Sequence, residues 1–206
     1  MGLIVGVDEA GRGPLAGPVV AAAVVLGRAP PAGLDDSKKL RPARRAALEA
    51  EIMQGCRWAV GVVEPEEIDR INIFAATMLA MTKAVAALCE KLGGRDMIGL
   101  VLIDGNKTPQ GRCAGWRWPA QAIVGGDASE PAISAASIIA KEHRDRIMRE
   151  AARAHPHYGW ERNAGYGTPE HLAALRQHGP TPLHRRSFAP VAQLEMPLER
   201  PQEISA

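Results

Sequence analysis

Short apolar runs alternate with longer amphipathic stretches along most of the chain. Runs rich in β-branched and small apolar residues predict five strands, at residues 3–7, 19–26, 58–63, 99–103 and 122–124. Apolar residues that recur every three or four positions predict a helix from about Ile73 to Leu92, ended by Gly93-Gly94. The same reasoning predicts further helices at residues 42–54, 133–154 and 169–177.

This alternation of strands and helices predicts an α/β domain. Residues 27–41 read as a loop, and Pro65-Glu66-Glu67 opens a short acidic turn or helix before the long one. A helical region closes the domain. Proline and polar residues become frequent after Phe188, so we expect a loosely held tail there.

Composition adds a weak indication of a polyanionic partner. The 206 residues are 46% hydrophobic with a net charge of only +2, which suits one large domain or two small ones. Residues 141–188, however, hold nine Lys/Arg against five Asp/Glu, a net charge of +4. A polyanion partner and a solvated basic face explain this segment equally well.

The cysteines and the start of the chain predict a soluble cytoplasmic protein without membrane contact. Cys56, Cys89 and Cys113 are odd in number and lack metal-type spacing, as expected in a reducing compartment. The apolar start is interrupted by charges before a signal peptide could form, and the run from Val19 to Leu26 is too short to span a bilayer.

Carboxylates stand where predicted strands end. Asp8 and Glu9 follow the first strand, Asp104 follows the fourth, and Asp127 lies between a strand and a helix. Neighbouring side chains in a straight strand point to opposite faces, so Asp8 and Glu9 can serve one site only if the backbone bends there. Asp8 and Asp104 would meet if their strands are neighbours.

These four carboxylates together predict a site for two divalent cations, of the kind that cleaves phosphodiesters. Each residue alone has a plainer interpretation. Asp8 and Glu9 could be solvated acids in an ordinary strand-turn, Asp104 could belong to an Asp-Gly turn, and Asp127 could simply favour a helix N-terminus.

Several polar groups could contact phosphate or sugar. Gly11, Arg12 and Gly13 form a glycine-flanked arginine beside the first carboxylates, which suits a phosphate or sugar that the backbone approaches closely. Tyr166 lies between two glycines and could stack on a sugar or base, although a lone turn tyrosine is more often simply packed.

Two further groups have plain alternatives. Ser37, Lys38 and Lys39 form a compact phosphate-contact motif or a solvated charge pair. Ser134, Ser137 and Lys141 share one helix face, but the serines could bond back to the preceding turn and Lys141 could be solvated.

Taken together and in this order, these motifs resemble the signature of bacterial ribonuclease HII. The similarity covers residues 3 to 191 and is carried by the segments Asp8–Pro18, Leu34–Leu40, Ile103–Asn106, Gly126–Asp127, Ile133–Lys141, Gly165–Thr168 and Gly179–Phe188. It implies a ribonuclease H-like fold with a mixed five-stranded sheet flanked by helices and a small C-terminal helical region. We therefore expect a catalytic domain at residues 1–150, a substrate-binding region at 151–190 and a flexible tail at 191–206.

The resemblance also implies an activity and roles for residues. Ribonucleases HII cut RNA in RNA–DNA hybrids and single ribonucleotides in duplex DNA, on the 5′ side of the ribonucleotide, leaving 3′-hydroxyl and 5′-phosphate ends. By position, the catalytic metal ligands are Asp8, Glu9, Asp104 and Asp127, with Mn²⁺ or Mg²⁺ as the two ions. Gly11, Arg12 and Gly13 match the loop that reads the 2′-hydroxyl, and Tyr166 matches the tyrosine that packs on the sugar at the junction.

Some positions depart from the pattern. Gly125 and Ala164 replace frequent lysines and His143 a more usual threonine, which removes two phosphate contacts but no catalytic group. Residues 111–118 form a long segment with two tryptophans. Gln193–Leu198 faintly resembles a sliding-clamp-binding peptide without its aromatic residue, and an acidic tail is the favoured interpretation.

The expected state is a monomer. Rival functions are another nuclease or an integrase of the same fold, and a non-catalytic nucleic-acid-binding module. The Gly11–Gly13 loop and Tyr166 argue against the first rival. The four carboxylates argue against the second, because they would repel phosphates.

Overall fold

The structure is a computed structural model that describes residues 2–195, without the side chain of Glu195. The described part of the chain forms one five-stranded sheet in the order β3-β2-β1-β4-β5. Strand β2 is antiparallel to both of its neighbours, whereas β4 is parallel to β1 and to β5. The predicted mixed sheet is therefore confirmed, with strands β1 Leu3–Ala10, β2 Val19–Val25, β3 Arg57–Val63, β4 Ile98–Asp104 and β5 Ala120–Ile123.

Helices cover both faces of the sheet and form the C-terminal region. The α-helices are α1 Pro42–Gly55, α2 Pro65–Leu92, α3 Gly126–Ser129, α4 Pro131–Ala154, α5 Trp160–Asn163, α6 Pro169–His178 and α7 Ala189–Glu195. Short 3-10 helices lie at Arg95–Met97 and Pro156–Tyr158. The predicted helices at residues 42–54, 133–154 and 169–177 agree with α1, α4 and α6 within two residues at each end.

The two faces of the sheet carry separate apolar cores. Val5 and Val7 of β1 pack with α2, whereas Ala22 and Val24 of β2 pack with α1 and α4. Helix α4 begins directly against β1, because a Cβ added to Gly6 would lie 2.1 Å from the carbonyl carbon of Ala132. This close approach brings the turn before α4 to the sheet, next to the end of β1.

Helix α2 contains a break at the place where the sequence predicts two elements. Asn72 has left-handed φ of 67° and ψ of 163° inside the continuous helical span. Its side-chain oxygen accepts a hydrogen bond of 3.0 Å from the backbone N–H of Ala75. Asn72 therefore acts as an N-terminal cap for the segment that begins at Ile73.

By length and composition, α2 could cross a membrane, since its most apolar window has a mean hydropathy of 1.6. Half of that window is buried inside the protein. The buried side chains pack against the sheet, including Met81, Val85 and Leu88. Packing in the core therefore accounts for the apolar character of this helix.

The C-terminal region has its own apolar core and is tied to the loop between β1 and β2. Leu15 of that loop packs with Met148, Tyr158 and Trp160. Ala16 and His184 form an isolated antiparallel bridge. The proposed division at residue 150 falls inside α4, which continues to Ala154.

The expectation of a loosely held chain after Phe188 is wrong for the residues that the structure describes. Residues 189–195 form α7, and Val191 is completely buried in the C-terminal core. Burial of this one side chain against the earlier helices fixes a segment whose proline content suggested a loose tail. Residues 196–206 lie outside the described residues.

Candidate active site

Three carboxylates converge at one end of the sheet. Strands β1 and β4 are parallel neighbours that pair Val7 with Ile103, so Asp8 and Asp104 follow side by side, as expected. Asp127 lies in the first turn of α3, and its N–H donates to Oδ1 of Asp104 at 3.3 Å. One carboxylate oxygen from each of the three residues lies within 4.8 Å of the others. This oxygen cluster suits a hard divalent cation.

Glu9 reaches the same region from the other face of the strand. The expected bend between Asp8 and Glu9 is wrong, because pairing with β2 continues in register through Asp8, Glu9 and Ala10. Glu9 therefore points to the α2 face, like Val7. Its carboxylate forms an ion pair of 3.3 Å with Arg12 and lies outside the cluster of three aspartates.

The carboxylates repel one another in a site with little water. Burial, then the charges of Glu9 and Asp104, hold the pKa of Asp8 well above its usual range, although it accepts hydrogen bonds from the Glu9 backbone N–H and the Ser137 hydroxyl. Burial also raises the pKa of Glu9, and burial followed by the charge of Asp104 raises that of Asp127. A bound cation would relieve this repulsion, so the residues present fit a metal ion.

A cavity of about 260 Å³ opens beside the carboxylate cluster. We call it the reading cavity, and its walls include Glu9, the loop of Gly11, Arg12 and Gly13, and the side chains of Ser37, Lys38, Ser137, Lys141 and Tyr166. A smaller cavity of about 110 Å³ lies beyond Glu9 and Arg12, toward Phe74 and Asp104. Glu9 and Arg12 thus line both cavities.

Lys38 is a cation placed among the carboxylates. Burial lowers its pKa, but the charges of Asp8 and of three further carboxylates, Asp36, Asp127 and Asp104, outweigh burial and raise it. Its neighbour Lys39 is different: 60% of that side chain is exposed, and it pairs with Asp35 at 3.7 Å outside the reading cavity. The sequence motif therefore contributes one lysine to the site.

The three polar residues predicted on one face of α4 make different contacts. Ser137 and Lys141 line the reading cavity, and Lys141 also forms an ion pair with Asp145. Ser134 is 2% exposed and donates to the backbone carbonyl of Asp127 at 2.7 Å. Its hydroxyl therefore holds the turn that carries Asp127, and contact of Ser134 with substrate stays a prediction.

Tyr166 lies directly beside the glycine loop, the segment Gly11–Gly13, in the wall of the reading cavity. Its side chain is about half exposed, and a Cβ added to Gly13 would lie 3.5 Å from its Cε1 atom. The turn that carries Tyr166 is joined to the loop, because the N–H of Leu15 donates to the carbonyl of Gly165 at 2.8 Å. Loop and tyrosine are thus held as one wall of the cavity.

The comparison with known proteins agrees with this geometry. The family model for ribonuclease HII matches residues 5–191. A ribonuclease HII from Novosphingobium aromaticivorans is 78% identical over 192 residues, covering 93% of this chain and 98% of that protein. The chain belongs to the ribonuclease HII family. It is therefore a type 2 ribonuclease H, a metal-dependent nuclease of a family that acts on RNA–DNA hybrids.

Solved structures of ribonucleases HII share the fold. The ribonuclease H2 from Pyrococcus horikoshii superposes with a TM-score of 0.73 at 27% identity, covering 93% of this chain and 96% of that one. A ribonuclease HII from Archaeoglobus fulgidus, solved in a complex with PCNA, gives a TM-score of 0.68 at 27% identity and covers 89% and 93%. The mixed sheet and its flanking helices are thus the ribonuclease HII architecture.

Two buried arginines support the substrate-facing loop of this ribonuclease HII, and sequence reasoning missed their role. Arg144 is 1% exposed and donates to the backbone carbonyls of Pro18, Ala16 and Ala164 at 2.9–3.0 Å. Arg185 is fully buried and donates to three further loop carbonyls. Gly11, with φ of 96°, must be glycine, because a Cβ there would lie 2.1 Å from Nε of Arg144.

Arg185 remains a cation despite its burial. Burial, followed by the charge of Arg144, lowers the pKa of Arg185 to about 9, so Arg185 is protonated at neutral pH. Burial also lowers the pKa of Arg144. Arg144 could have been found in the sequence, since Ser137, Lys141 and Arg144 recur at helical spacing on one polar face.

A buried histidine pair supports the Tyr166 turn. The indole N–H of Trp160 donates to Nε2 of His171 at 3.1 Å, so His171 carries its proton on Nδ1 and donates it to the carbonyl of Tyr166 at 2.9 Å. Nδ1 of His184 accepts from the backbone N–H of Thr181 at 2.9 Å, which leaves its Nε2–H facing Nε2 of His171 at 3.0 Å. Both rings are therefore neutral.

Proposed function

We propose that this chain is an endoribonuclease that cleaves the RNA strand of RNA–DNA hybrids and single ribonucleotides embedded in duplex DNA. It cuts on the 5′ side of the ribonucleotide and leaves 3′-hydroxyl and 5′-phosphate ends. The observation that carries this proposal is the cluster of Asp8, Asp104 and Asp127 beside a cavity walled by the glycine loop and Tyr166.

Asp8, Asp104 and Asp127 would hold the metal, with Glu9 approaching from the opposite face of β1. When bound, a pair of Mg²⁺ or Mn²⁺ ions supplies an activated water and stabilises the leaving oxygen in phosphodiester hydrolysis. Lys38 and Arg12 stand beside the carboxylates and would bind the phosphates that flank the scissile bond, and Lys141 would contact the backbone further along the reading cavity.

The enzyme would distinguish a ribonucleotide from a deoxyribonucleotide by contacts to its sugar. The 2′-hydroxyl is the group that distinguishes RNA from DNA at a given site. Gly11 and Gly13 let the loop backbone approach that hydroxyl, and Tyr166, beside them in the same wall, would pack on the neighbouring sugar. A site built to hydrogen-bond a hydroxyl strongly rejects a substrate without it, because its own polar groups are then left unpaired.

Three duplexes test the proposal directly. The full chain is incubated with Mg²⁺ or Mn²⁺ and with end-labelled duplexes that hold zero, one or four ribonucleotides, and the cut is mapped to a single bond. We expect cutting 5′ of the ribonucleotide in the second duplex, cutting within the RNA block of the third, and an intact all-DNA duplex. Asp104→Asn should abolish both cuts while binding in Ca²⁺ survives.

The rival functions predict different patterns in the same experiment. Cutting of the all-DNA duplex would indicate another nuclease or an integrase of this fold. Binding of every duplex without cutting would indicate a nucleic-acid-binding module. Near wild-type turnover by Asp104→Asn would refute the assignment of the metal ligands.

Two substitutions of Tyr166 test its contact with the sugar. Tyr166→Ala should lose much more activity on the single-ribonucleotide duplex than affinity for all-DNA duplex, because few phosphates are involved. Tyr166→Phe removes only the hydroxyl, so retained activity would assign the role to the ring. Cutting by Tyr166→Ala at the wild-type rate would exclude the contact.

We also propose a sliding clamp as a second partner, engaged by the segment Gln193–Leu198. The complex of the Archaeoglobus relative with PCNA supports this partner. Residues 196–198 of the segment lie outside the described residues. Deletion of residues 193–206 should abolish binding to the clamp of the same organism and leave cleavage intact; clamp binding by the deleted chain would refute the assignment.

The remaining proposals concern organisation. We propose a monomer that works in the cytoplasm, with catalysis in residues 1–150 and substrate binding assisted by residues 151–190. Two contacts support a role of the C-terminal region in substrate binding. Arg185 bonds to the glycine loop, and His184 forms a bridge with Ala16. Light scattering of the purified chain alone and with a hybrid duplex tests the monomer.

A further inference from the structure

The carbonyl oxygens of the glycine loop are turned away from the reading cavity, toward one buried guanidinium. Arg185 donates from Nη2 to the carbonyl of Gly11 at 2.6 Å and from Nη1 to the carbonyl of Arg12 at 3.0 Å. Its Nε donates to the carbonyl of Gly17 at 2.9 Å. Because Arg185 is 0% exposed, these carbonyls point into the protein.

This orientation fixes the amide groups of the same peptides. The described peptide bonds are trans, and in a trans peptide the C=O and the following N–H point in opposite directions. The carbonyl of Gly11 shares its peptide with the N–H of Arg12, and the carbonyl of Arg12 shares its peptide with the N–H of Gly13. Both N–H groups therefore point away from Arg185, toward the reading cavity that these residues line.

We propose that Arg185 is a positioning residue that sets ribonucleotide selectivity. By holding two peptide planes, it presents the N–H groups of Arg12 and Gly13 as paired donors to the 2′-oxygen of the ribose. The inference rests on the proposed function, because it names the device that holds the sugar-reading loop. Arg185 itself touches no substrate.

Arginine is required at this position by the number and direction of its donors. The planar guanidinium offers five N–H groups in a rigid fork, so one side chain can satisfy three carbonyls that come from two separated stretches of the loop. A lysine ammonium retains the positive charge but lies at a single point on a flexible stem. Arg185→Lys should therefore keep an amine donor at this position and release at least one of the two peptide planes.

Arg144 provides a matched comparison. It is buried to the same degree and also donates to three backbone carbonyls, those of Pro18, Ala16 and Ala164. The peptides of these carbonyls carry the N–H groups of Val19, Gly17 and Gly165. None of them carries the N–H of Arg12 or of Gly13. Arg144→Lys thus perturbs the same loop without releasing the peptides of Gly11 and Arg12.

The experiment measures selectivity in binding, without turnover. The full-length wild type, Arg185→Lys and Arg144→Lys are titrated in Ca²⁺ against a duplex with one ribonucleotide and an all-DNA duplex of the same sequence. We expect Arg185→Lys to lower the ratio of the two affinities roughly tenfold, the loss of about one net hydrogen bond, with all-DNA affinity nearly unchanged. Arg144→Lys also disturbs the contact with Gly11 and the turn before Tyr166, so it should lower the ratio as well, but by less than Arg185→Lys does.

A second variant removes the donor itself. Gly13→Pro deletes the N–H of residue 13 and leaves Arg185 in place, so it should also lower the ratio, and it decides the question if Arg185→Lys does not fold. An unchanged ratio in Gly13→Pro, an unchanged ratio in a folded Arg185→Lys, or an equal loss of the ratio in both arginine variants would overturn the proposal. Equal binding of the two duplexes by the wild type would instead count against the proposed function.

Discussion

The hydroxyl groups of Ser37 and Ser137 are 2.8 Å apart, although 100 positions separate the two residues in the chain. Both side chains are buried, at 2% and 3% exposure. Ser137 also donates a hydrogen bond to the carboxylate of Asp8. The loop that carries Lys38 is therefore joined through α4 to the end of β1, where the carboxylates converge.

Ser37→Ala should loosen this connection. The variant leaves one buried hydroxyl without its partner, so we expect a loss of about 1 kcal/mol in the free energy of unfolding and a several-fold loss of kcat/KM. Urea unfolding and steady-state cleavage of a hybrid measure the two effects. Thr82→Ala is the matched control, since Thr82 is also buried and bonds to the carbonyl of Met78 in α2. Equal losses of activity in both variants would show that the effect is general destabilisation.

Replacement of each of the two adjacent lysines should have a different effect on cleavage activity. Lys38 lines the reading cavity beside four carboxylates, whereas Lys39 is exposed and pairs with Asp35. We expect Lys38→Ala to lower kcat/KM at least about tenfold through a lost charge-assisted contact to phosphate, and Lys39→Ala to lie near the wild type. The pair serves as its own control, and a larger effect of Lys39→Ala would place the phosphate path on the outer side of the loop.

The carboxylate cluster should destabilise the protein when no metal ion is bound. Because burial and neighbouring charges raise the pKa of Asp8 in the folded state, the folded protein binds its proton at pH values where the unfolded chain does not. The free energy of unfolding therefore rises, through this group, as the pH falls from 7 toward the ordinary carboxyl range near pH 4. Asp8→Asn should raise the melting temperature in EDTA at pH 7 and reduce this pH dependence.

Asp69→Asn provides a contrast for that measurement. The Asp69 carboxylate accepts hydrogen bonds from the backbone N–H groups of Arg186 and Ser187 and from the Ser187 hydroxyl. Its replacement should lower the melting temperature, so a stabilising effect is expected only where a carboxylate lies among like charges. A lower melting temperature for Asp8→Asn in EDTA would contradict the electrostatic argument.

The sequence predicts the strands and the meeting of Asp8 with Asp104 because these features depend on local patterns. Each aspartate is the first polar residue after an apolar run, and these two runs are parallel neighbours in the sheet. The bend expected at Glu9 is absent because strand pairing continues to Ala10, which no local pattern specifies. Local patterns thus located the carboxylates but not the faces from which they act.

Tertiary contacts account for the features that the sequence did not predict. The six carbonyls bound by Arg144 and Arg185 come from the loop after β1 and from the turn before Tyr166, so their partners leave no spacing signature. Likewise, α7 is held by burial of Val191 in a core that includes Leu15 and Tyr158, far away in the sequence. Such contacts can be recognised only once the distant segments are placed together.

The buried histidine pair should make the fold sensitive to acid. Burial, followed by the charges of His171 and His155, lowers the pKa of His184 to about 3, and burial lowers the pKa of His171 as well. Protonation of His171 would turn Nε2 into a donor that faces the indole N–H of Trp160. The unfolded chain binds these protons near pH 6.5 and the folded chain does not, so this stability is complete above pH 6.5 and is lost progressively toward pH 3.

His184→Gln should remove part of that acid sensitivity. We expect the wild type to lose about 2 kcal/mol in the free energy of unfolding through His184 between pH 7.5 and pH 5.0, and the variant to lose about 2 kcal/mol less over the same interval. Urea unfolding in EDTA measures both proteins, so the opposite contribution of the carboxylates cancels in the difference. Identical pH dependence of the wild type and His184→Gln would show that the buried pair does not resist protonation, because the loss of His184 would then leave the proton balance of unfolding unchanged.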